Sequence, residues 1–239
     1  MAYYIILFVV TTILAWFYSG NTTVSKPLFF SFCLSVGLFV GLADMLGGYD
    51  RYIYSEVFQD MHEDVTKGVF FSEEFLSFFG KEPVYGLIND FIAFFTPNRY
   101  IFILVYTLFL YMIYAVNFYR YTKNPFFALL VFEGLMFFFT FTYLRQMVGV
   151  GFAWFAIRYV YKKDLYKFII CVLVAASFHN SAIILFPLYF LPIKRFSQRS
   201  IIIIMSICLV LGLSGGPSAL FRLYGDVTDM QYRTDSYAE

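Results

Sequence analysis

Residues 100–119, YIFILVYTLFLYMIYAVNFY, decide the fold class of this chain. They carry no charged side chain, and the run has about the length that an α-helix needs to cross the hydrocarbon core of a bilayer. Arg120 and Lys123 follow at its end. The run therefore predicts a transmembrane helix whose basic end lies on the cytoplasmic side, where Lys and Arg are enriched.

The composition of the whole chain, 239 residues, leads to the same class. Hydrophobic residues make up 61%, charged residues make up 14%, and the mean hydropathy is +0.72. Soluble domains carry about 25% charged residues, so this chain cannot build a water-soluble surface. It is predicted to be all-α, a polytopic transmembrane helical bundle of about six to eight membrane helices, in a single transmembrane domain over residues 1–239. No basic patch suits a nucleic-acid backbone, so no nucleic-acid partner is predicted.

Other apolar runs predict further membrane helices. The first has no preceding Lys or Arg and no clean cleavage site after it, which indicates an uncleaved span rather than a signal peptide. The runs are residues 3–18, 28–46, 126–141, 147–160 and 201–213, with a longer one at 168–191.

The longest run, residues 168–191, carries the polar cluster SFHNS (177–181) in its middle. It either spans the membrane once or breaks at His179 and returns as two half-helices. The broken form is favoured, because basic residues flank both ends and non-helical backbone at membrane depth is tolerated where it lines a polar cavity.

Residues 47–82 form a polar loop with eight acidic and three basic residues, which predicts an extracytoplasmic position. Apolar side chains in it repeat at three and four residues and predict an amphipathic helix on the membrane surface. These side chains are Tyr54, Val57, Phe58, Met61 and Val65. Residues 68–80 are a candidate second helix of this kind. Residues 83–96 are too short to span the membrane and predict a short re-entrant or interfacial helix.

The first candidate site residues lie in the motif GGYDRY (47–52), where the second run meets this loop. Asp50 is expected at the membrane surface, beside Arg51 and the aromatic side chains of Tyr49 and Tyr52. The motif is either an interfacial turn in an aromatic belt or a polar pocket. In a pocket, the carboxylate would act as a general base or bind hydroxyl groups.

Glu82, Tyr85 and Asn89 are spaced by three and four residues, so they share one face of a helix that starts at Pro83. The helix dipole favours a negative charge at the position of Glu82. The stripe is either a simple acidic helix start or a polar binding face on an otherwise apolar helix.

Arg145 and Gln146 are predicted at the outer end of their helix, where Lys and Arg are depleted. One explanation is an arginine that snorkels at a helix end. The functional explanation is a guanidinium whose forked donors bind a phosphate. Gly149, Ala153 and Ala156 follow on one face and allow another helix to approach closely.

His179, with Asn180 and Ser181 beside it, is either a hydrogen-bonded packing residue or part of a wet cavity. In a cavity it would hold a diphosphate oxygen or shuttle a proton. Asp44 and Glu133 each lie alone in an apolar span and are interpreted as structural. The sequence has no motif with the spacing of a metal site or a nucleotide loop, so no metal and no cofactor are predicted.

Four motifs, taken in order, resemble the EpsG family, bacterial membrane proteins related to the Wzy-type polymerases of O-antigen, capsule and exopolysaccharide. The motifs are GGYDRY (47–52), EPVYxxxN (82–89), RQ (145–146) and SFHNSA (177–182), the last followed by Pro187. The resemblance runs from about residue 3 to residue 192. It implies a GT-C-like, multi-pass glycosyltransferase of the bacterial inner (plasma) membrane. Such proteins usually continue with further spans, so the chain is expected to be a C-terminally truncated piece.

The resemblance also implies a reaction. Undecaprenyl-diphosphate-linked oligosaccharide repeat units would be polymerised into surface polysaccharide at the outer face of the inner membrane. The expected partners are that lipid-linked oligosaccharide, the lipid bilayer, and polysaccharide chain-length and flippase proteins. The catalytic candidates are Asp50 or Glu82 as the base, with Arg145 and His179 neutralising the diphosphate. The residues expected to bind substrate are Tyr49, Arg51, Tyr52, Tyr85, Asn89, Gln146, Asn180 and Ser181.

Two other activities stay open. A flippase for the lipid-linked unit would need a cavity lined with charges through the membrane depth. A membrane O-acyltransferase that modifies the polysaccharide would need a histidine reachable from the cytoplasmic side. Polymerisation is favoured because the candidate residues concentrate at the outer face.

Overall fold

The computed structural model describes residues 2–20, 23–43, 48–70, 82–191 and 196–214, without the side chains of residues 2, 48 and 49. Within these ranges every regular element is a helix and no strand occurs, which confirms the all-α prediction. Asp44, the side chain of Tyr49 and most of the predicted second amphipathic helix at 68–80 lie outside the described residues.

The helices follow one another with short connections. They are α1 (Ala2–Phe17), α2 (Lys26–Gly41), α3 (Gly48–Thr66), α4 (Pro83–Phe95), α5 (Arg99–Tyr121), α6 (Pro125–Leu135), α7 (Phe139–Thr142), α8 (Leu144–Lys162), α9 (Leu165–Phe178), a 3₁₀ helix (Asn180–Phe190) and α10 (Gln198–Leu213). A proline lies in the first turn of α2, α4 and α6, where its missing N–H would have no partner within the helix. Asn124 caps α6 by accepting from the backbone N–H of Phe127 at 3.1 Å.

One helix in the part of the chain that the structure describes, α5, is long and apolar enough to cross a membrane. The shorter apolar helices have 10–17 residues, which at 1.5 Å per residue fall short of a hydrocarbon core about 30 Å thick. The polytopic bundle therefore stays a prediction.

The chain divides into two compact units, Met1–Leu191 and Pro192–Glu239. In the first unit, α5 packs between α2 and α8. A Cβ on Gly41 of α2 would lie 2.5 Å from Oγ1 of Thr107, so only glycine fits this contact. On the other side, Tyr114 donates to the carbonyl of Met147 at 2.9 Å, and Asn117 donates to the carbonyl of Gly151 at 2.9 Å. In the second unit, Ser197 caps α10 by accepting from the N–H of Ser200.

The apolar face of α3 is fully formed, but it packs on protein. Tyr54, Val57, Phe58, Met61 and Val65 are all buried in the core. The ring of Phe58 stacks on Phe102 of α5 with centroids 4.5 Å apart. The predicted periodicity is confirmed, and the interpretation of this face as lying on the membrane surface is corrected, because α4 and α5 cover it.

The apolar run at residues 168–191 breaks at His179, as the favoured of the two predictions stated. Helix α9 ends at Phe178, and His179 has extended backbone, with φ −155° and ψ 113°. The 3₁₀ helix then returns along α9, since the rings of Phe168 and Tyr189 lie 5.2 Å apart and Lys163 donates to the carbonyl of Tyr189 at 3.5 Å. The break therefore lies at one end of a helical hairpin whose other end carries Lys163.

Candidate active site

The carboxylate of Glu82 is the centre of the candidate site. Its Oε2 pairs with Nη1 of Arg145 at 2.5 Å. Its Oε1 accepts from Nδ1 of His179 at 3.1 Å and from the backbone N–H of Asn180 at 3.1 Å. Three separate segments, the starts of α4 and α8 and the break after α9, thus meet on one buried carboxylate.

Local structure explains why these side chains point to one place. Glu82 directly precedes Pro83, at the start of α4, where the helix dipole favours an acid. Arg145 lies in the first turn of α8, where the dipole disfavours a cation, and the Glu82 carboxylate offsets that cost. The break at His179 leaves the N–H of Asn180 outside the α9 hydrogen-bond ladder, so it is available to the carboxylate.

Two tyrosines enclose the guanidinium of Arg145. Its central carbon lies 5.6 Å from the ring centre of Tyr54 and 5.5 Å from that of Tyr85, both within cation–π range. Nε of Arg145 also donates to the hydroxyl of Tyr54 at 3.5 Å. Burial raises the pKa of both phenols above their ordinary value, so both tyrosines stay neutral. The ring of Tyr85 in turn packs edge-on against Tyr106, with centroids 5.6 Å apart.

The side chains of the three ionisable groups differ in how far they are exposed. The side chain of Glu82 is 3% exposed and that of Arg145 is 10% exposed, whereas that of His179 is 26% exposed. A histidine whose Nδ1 faces a carboxylate carries the proton on Nδ1, which leaves the lone pair on Nε2 free to accept. His179 is therefore the accessible base of the group. Glu82, with both oxygens engaged, orients it, and this argues against the predicted role of Glu82 as the base.

Small residues let α9 reach the site. A Cβ on Gly149 would lie 3.3 Å from the carbonyl oxygen of Ala175 and 3.4 Å from Cβ of His179. Gly149, Ala153 and Ala156 are all buried, and α8 packs closely on α9 along this face. The face predicted for close helix approach is thus confirmed, and it positions His179.

The residues of the 47–52 motif divide between different environments. Asp50 is half-buried one turn before Tyr54. Burial is the largest cause of the raised pKa of the Tyr54 phenol, and the charge of Asp50 adds a smaller contribution in the same direction. Arg51 is fully buried and donates to the carbonyls of Val40 and Gly41 at 3.3 Å, which caps the end of α2. Tyr52 lies on the exposed side of α3. The geometry therefore gives Arg51 a structural role, and Asp50 stays a candidate beside the site.

The remaining residues that were predicted to bind substrate also lie in different environments. Asn89 is buried and donates to the carbonyl of Tyr85 at 2.7 Å. Gln146 and Ser181 are exposed and line a groove with His179. Asn180 contributes its backbone N–H to Glu82.

Sequence reasoning missed Tyr54 and Tyr106 as site residues. Tyr54 was interpreted only as part of an apolar face, and Tyr106 lies within the apolar run that predicted α5. The one available signal is that Tyr54 lies one helical turn after Asp50. Nothing local identifies Tyr106, which reaches the site through Tyr85.

Glu133 lies apart from this site. Its Oε1 accepts from Oγ1 of Thr11 at 3.0 Å, which links α6 to α1 and agrees with the structural interpretation. Across the residues with described positions, no group of three or more His, Cys, Asp or Glu side chains is arranged to hold a metal ion.

A family model described as the EpsG family matches residues 26–239, a range that contains every residue of the candidate site. No curated protein and no solved structure matches the chain.

Proposed function

The chain belongs to the EpsG family, whose members are membrane-associated proteins of polysaccharide biosynthesis, and we propose that it is a polysaccharide polymerase. In this proposal it transfers a growing glycan from undecaprenyl diphosphate to a sugar hydroxyl of the next lipid-linked repeat unit. The reaction is a glycosyl transfer at the outer face of the bacterial inner membrane. The observation that carries the proposal is the Glu82–Arg145–His179 network.

The network can perform the proton transfer that this reaction needs. Nε2 of His179 takes the proton of the acceptor hydroxyl as its oxygen forms a bond to the anomeric carbon. The bond between that carbon and the diphosphate oxygen breaks, and the lipid diphosphate leaves with the electron pair. The imidazolium that forms is stabilised by Glu82 through Nδ1–H, as in other carboxylate–histidine pairs.

Charge also favours a diphosphate leaving group. Glu82 and Arg145 neutralise each other, so the site gains a positive charge when His179 is protonated. This gain coincides with the release of negative charge on the diphosphate. A charge that appears only during the reaction stabilises the transition state more than the ground state, which is what accelerates a reaction.

The position of the network supports the outer face. Arg145 lies in the first turn of α8, and Arg158 lies thirteen residues later, which is about 20 Å along the helix. The rings of Trp154 and Phe118, 5.7 Å apart, bring the second half of α8 next to the last turn of α5, and Arg158 follows Trp154 by one turn. Arg158 and Arg120 therefore share the basic end of the unit, which the positive-inside rule assigns to the cytoplasm. The network lies at the opposite end.

The test is a gel of surface polysaccharide from a deletion strain rescued with variants. His179→Gln removes the base, and general-base loss lowers rates about 10²–10⁴-fold, so the polymer ladder should collapse to single repeat units. His62→Gln is the matched control, since His62 lies on α3 and contacts the carbonyl of Ala93. A His179→Gln strain with a normal ladder contradicts the proposal. Repeat units that accumulate on lipid inside the deletion strain indicate a flippase, and a ladder without acetyl groups indicates an acyltransferase.

A further inference from the structure

A groove with a volume of about 290 Å³ runs between α8 and the 3₁₀ helix. We call it the α8 groove. It begins at the candidate site, because His179 and the exposed Gln146 and Ser181 lie at its start. The rest of its wall is apolar and includes Val150, Ala153, Ile157, Ala182, Ile184 and Leu185. One end of the groove is therefore polar and the remainder is hydrocarbon-like.

The α8 groove continues towards the basic end of the unit. Trp154 and Ile157 also line a second cavity of about 450 Å³, which contains Arg158 and Lys162. The lining residues of both cavities recur at three- and four-residue steps along one face of α8. From Gln146 to Lys162 this face is about 24 Å long, so it runs along most of a hydrocarbon core about 30 Å thick without crossing it fully.

We propose that the α8 groove binds the polyisoprenoid chain of the lipid-linked substrate, with its diphosphate at the polar end of the groove, beside Gln146 and Ser181. This inference rests on the proposed function and locates the lipid part of its substrate. The polar end of the groove suits a diphosphate head, because the exposed side chains of Gln146 and Ser181 can donate hydrogen bonds to its oxygens there. The apolar length selects a hydrocarbon tail.

The floor of the groove is low along α8, because Gly149 and Ala153 carry small side chains there. A flexible hydrocarbon chain can follow this floor between α8 and the 3₁₀ helix, and it would enter sideways from the bilayer.

The experiment uses the full chain in nanodiscs of phosphatidylglycerol and phosphatidylethanolamine, with alkyne-tagged undecaprenyl diphosphate as the probe. A benzophenone side chain is introduced in place of Ile184, which is 80% exposed and lines the groove, or of its neighbour Ile183, which is 57% exposed and does not. Illumination should label the probe from position 184 and only weakly from position 183. Untagged undecaprenyl diphosphate should suppress the labelling, and added phospholipid should not.

A second measurement compares affinities. Ala182→Trp fills the groove and should weaken probe binding about tenfold, or about 1.4 kcal/mol. Ile183→Trp places the same side chain outside the groove and should leave the affinity unchanged. Equal labelling from 183 and 184 means bulk lipid and overturns the proposal. Crosslinks from 184 to residues 198–213 mean that protein covers the groove, and they overturn it as well.

The two proposals fail in different ways. Probe binding needs no turnover. If the His179→Gln strain makes a normal polymer ladder, the polymerase proposal fails, but selective labelling from position 184 still supports lipid binding in the α8 groove. Conversely, if the chain polymerises normally but the probe is labelled equally from positions 183 and 184, the polymerase proposal stands and the proposal of lipid binding in the α8 groove fails.

Discussion

The carboxylate of Glu82 pairs with the guanidinium of Arg145 across 63 residues of sequence, at 2.5 Å and with both side chains at most 10% exposed. Burying two charges is costly, and a buried pair is retained only where good geometry and further hydrogen bonds repay the desolvation. Here the N–H of Asn180 and the imidazole of His179 supply those bonds. The pair therefore joins α4, α8 and the α9 hairpin, and its carboxylate also orients the imidazole of His179.

Removing both members of this pair should cost less than the two single removals added together. Arg145→Met leaves the Glu82 carboxylate buried without its cation, and breaking a buried pair costs about 3–5 kcal/mol. The double variant Glu82→Gln with Arg145→Met should be less destabilised than the two single changes added together, because it leaves no unpaired charge. Thermal unfolding of the four proteins in detergent measures this coupling.

The control for that cycle is the surface pair of Lys67 and Glu63, whose side chains are 66% and 77% exposed. Lys67→Met should change stability by no more than about 0.5 kcal/mol. Strict additivity of the Glu82 and Arg145 variants would show that the buried pair is not energetically coupled.

Gly149→Ala should lower polymer synthesis while the protein still folds. The added Cβ would lie 3.3 Å from the carbonyl oxygen of Ala175 and 3.4 Å from Cβ of His179, so the end of α9 must move by tenths of an ångström. A displacement of about 1 Å at a catalytic group costs about 100-fold, and we expect about tenfold here. Repeat-unit incorporation per folded molecule is the measurement.

Gly134→Ala serves as the matched change for Gly149→Ala. Its Cβ would have open space, with the nearest atom, on Phe8, at 3.9 Å. Alanine also favours the helix by about 1 kcal/mol, so activity should stay normal and stability should hold or rise. Equal activity in the two alanine variants would mean that the approach of α9 at Gly149 does not position His179.

Tyr54→Phe and Tyr54→Leu should separate the two contacts of this tyrosine with Arg145. Phenylalanine keeps the ring 5.6 Å from the guanidinium and loses the hydrogen bond at 3.5 Å, at a cost of about 1 kcal/mol. Leucine loses the ring as well, and a desolvated cation–π contact adds about 2 kcal/mol. The melting temperature should be highest for the wild type, lower for Tyr54→Phe and lowest for Tyr54→Leu. Equal melting temperatures for Tyr54→Phe and Tyr54→Leu would exclude the cation–π contribution.

Arg51→Met tests whether this buried arginine is structural. It removes the cap on the carbonyls of Val40 and Gly41, so stability should fall by about 1–3 kcal/mol, while the protein that remains folded keeps its activity. A variant of normal stability that makes no polymer would instead support the contact with substrate expected from the motif. Unfolding and activity must therefore be measured on the same preparation.

The sequence by itself determined the helical class, the helix starts and the break. Apolar runs without charges leave helices as the favoured state, and Pro83, Pro125 and Asn124 fix where helices begin through local rules of capping. The polar cluster at His179 predicted the interruption because polar groups within an apolar run need partners. The close helix approach at the face of α8 that carries Gly149, Ala153 and Ala156 could also be predicted from local spacing. Even the separate residues Glu82, Arg145 and His179 stood out as polar groups in apolar surroundings.

Only the tertiary structure decided which of these groups meet and what each can do. Sequence spacing fixes a face of one helix, but it does not fix which helix covers that face, so the apolar side of α3 was assigned to lipid when it packs on α4 and α5. The same limit hid the enclosure of Arg145 by Tyr54 and Tyr85, and the capping role of Arg51. Protonation roles depend on hydrogen-bond partners across distant segments. The proposed role of His179 as the base rests on the fold, which brings Glu82 to its Nδ1 and places its side chain in the wall of the α8 groove.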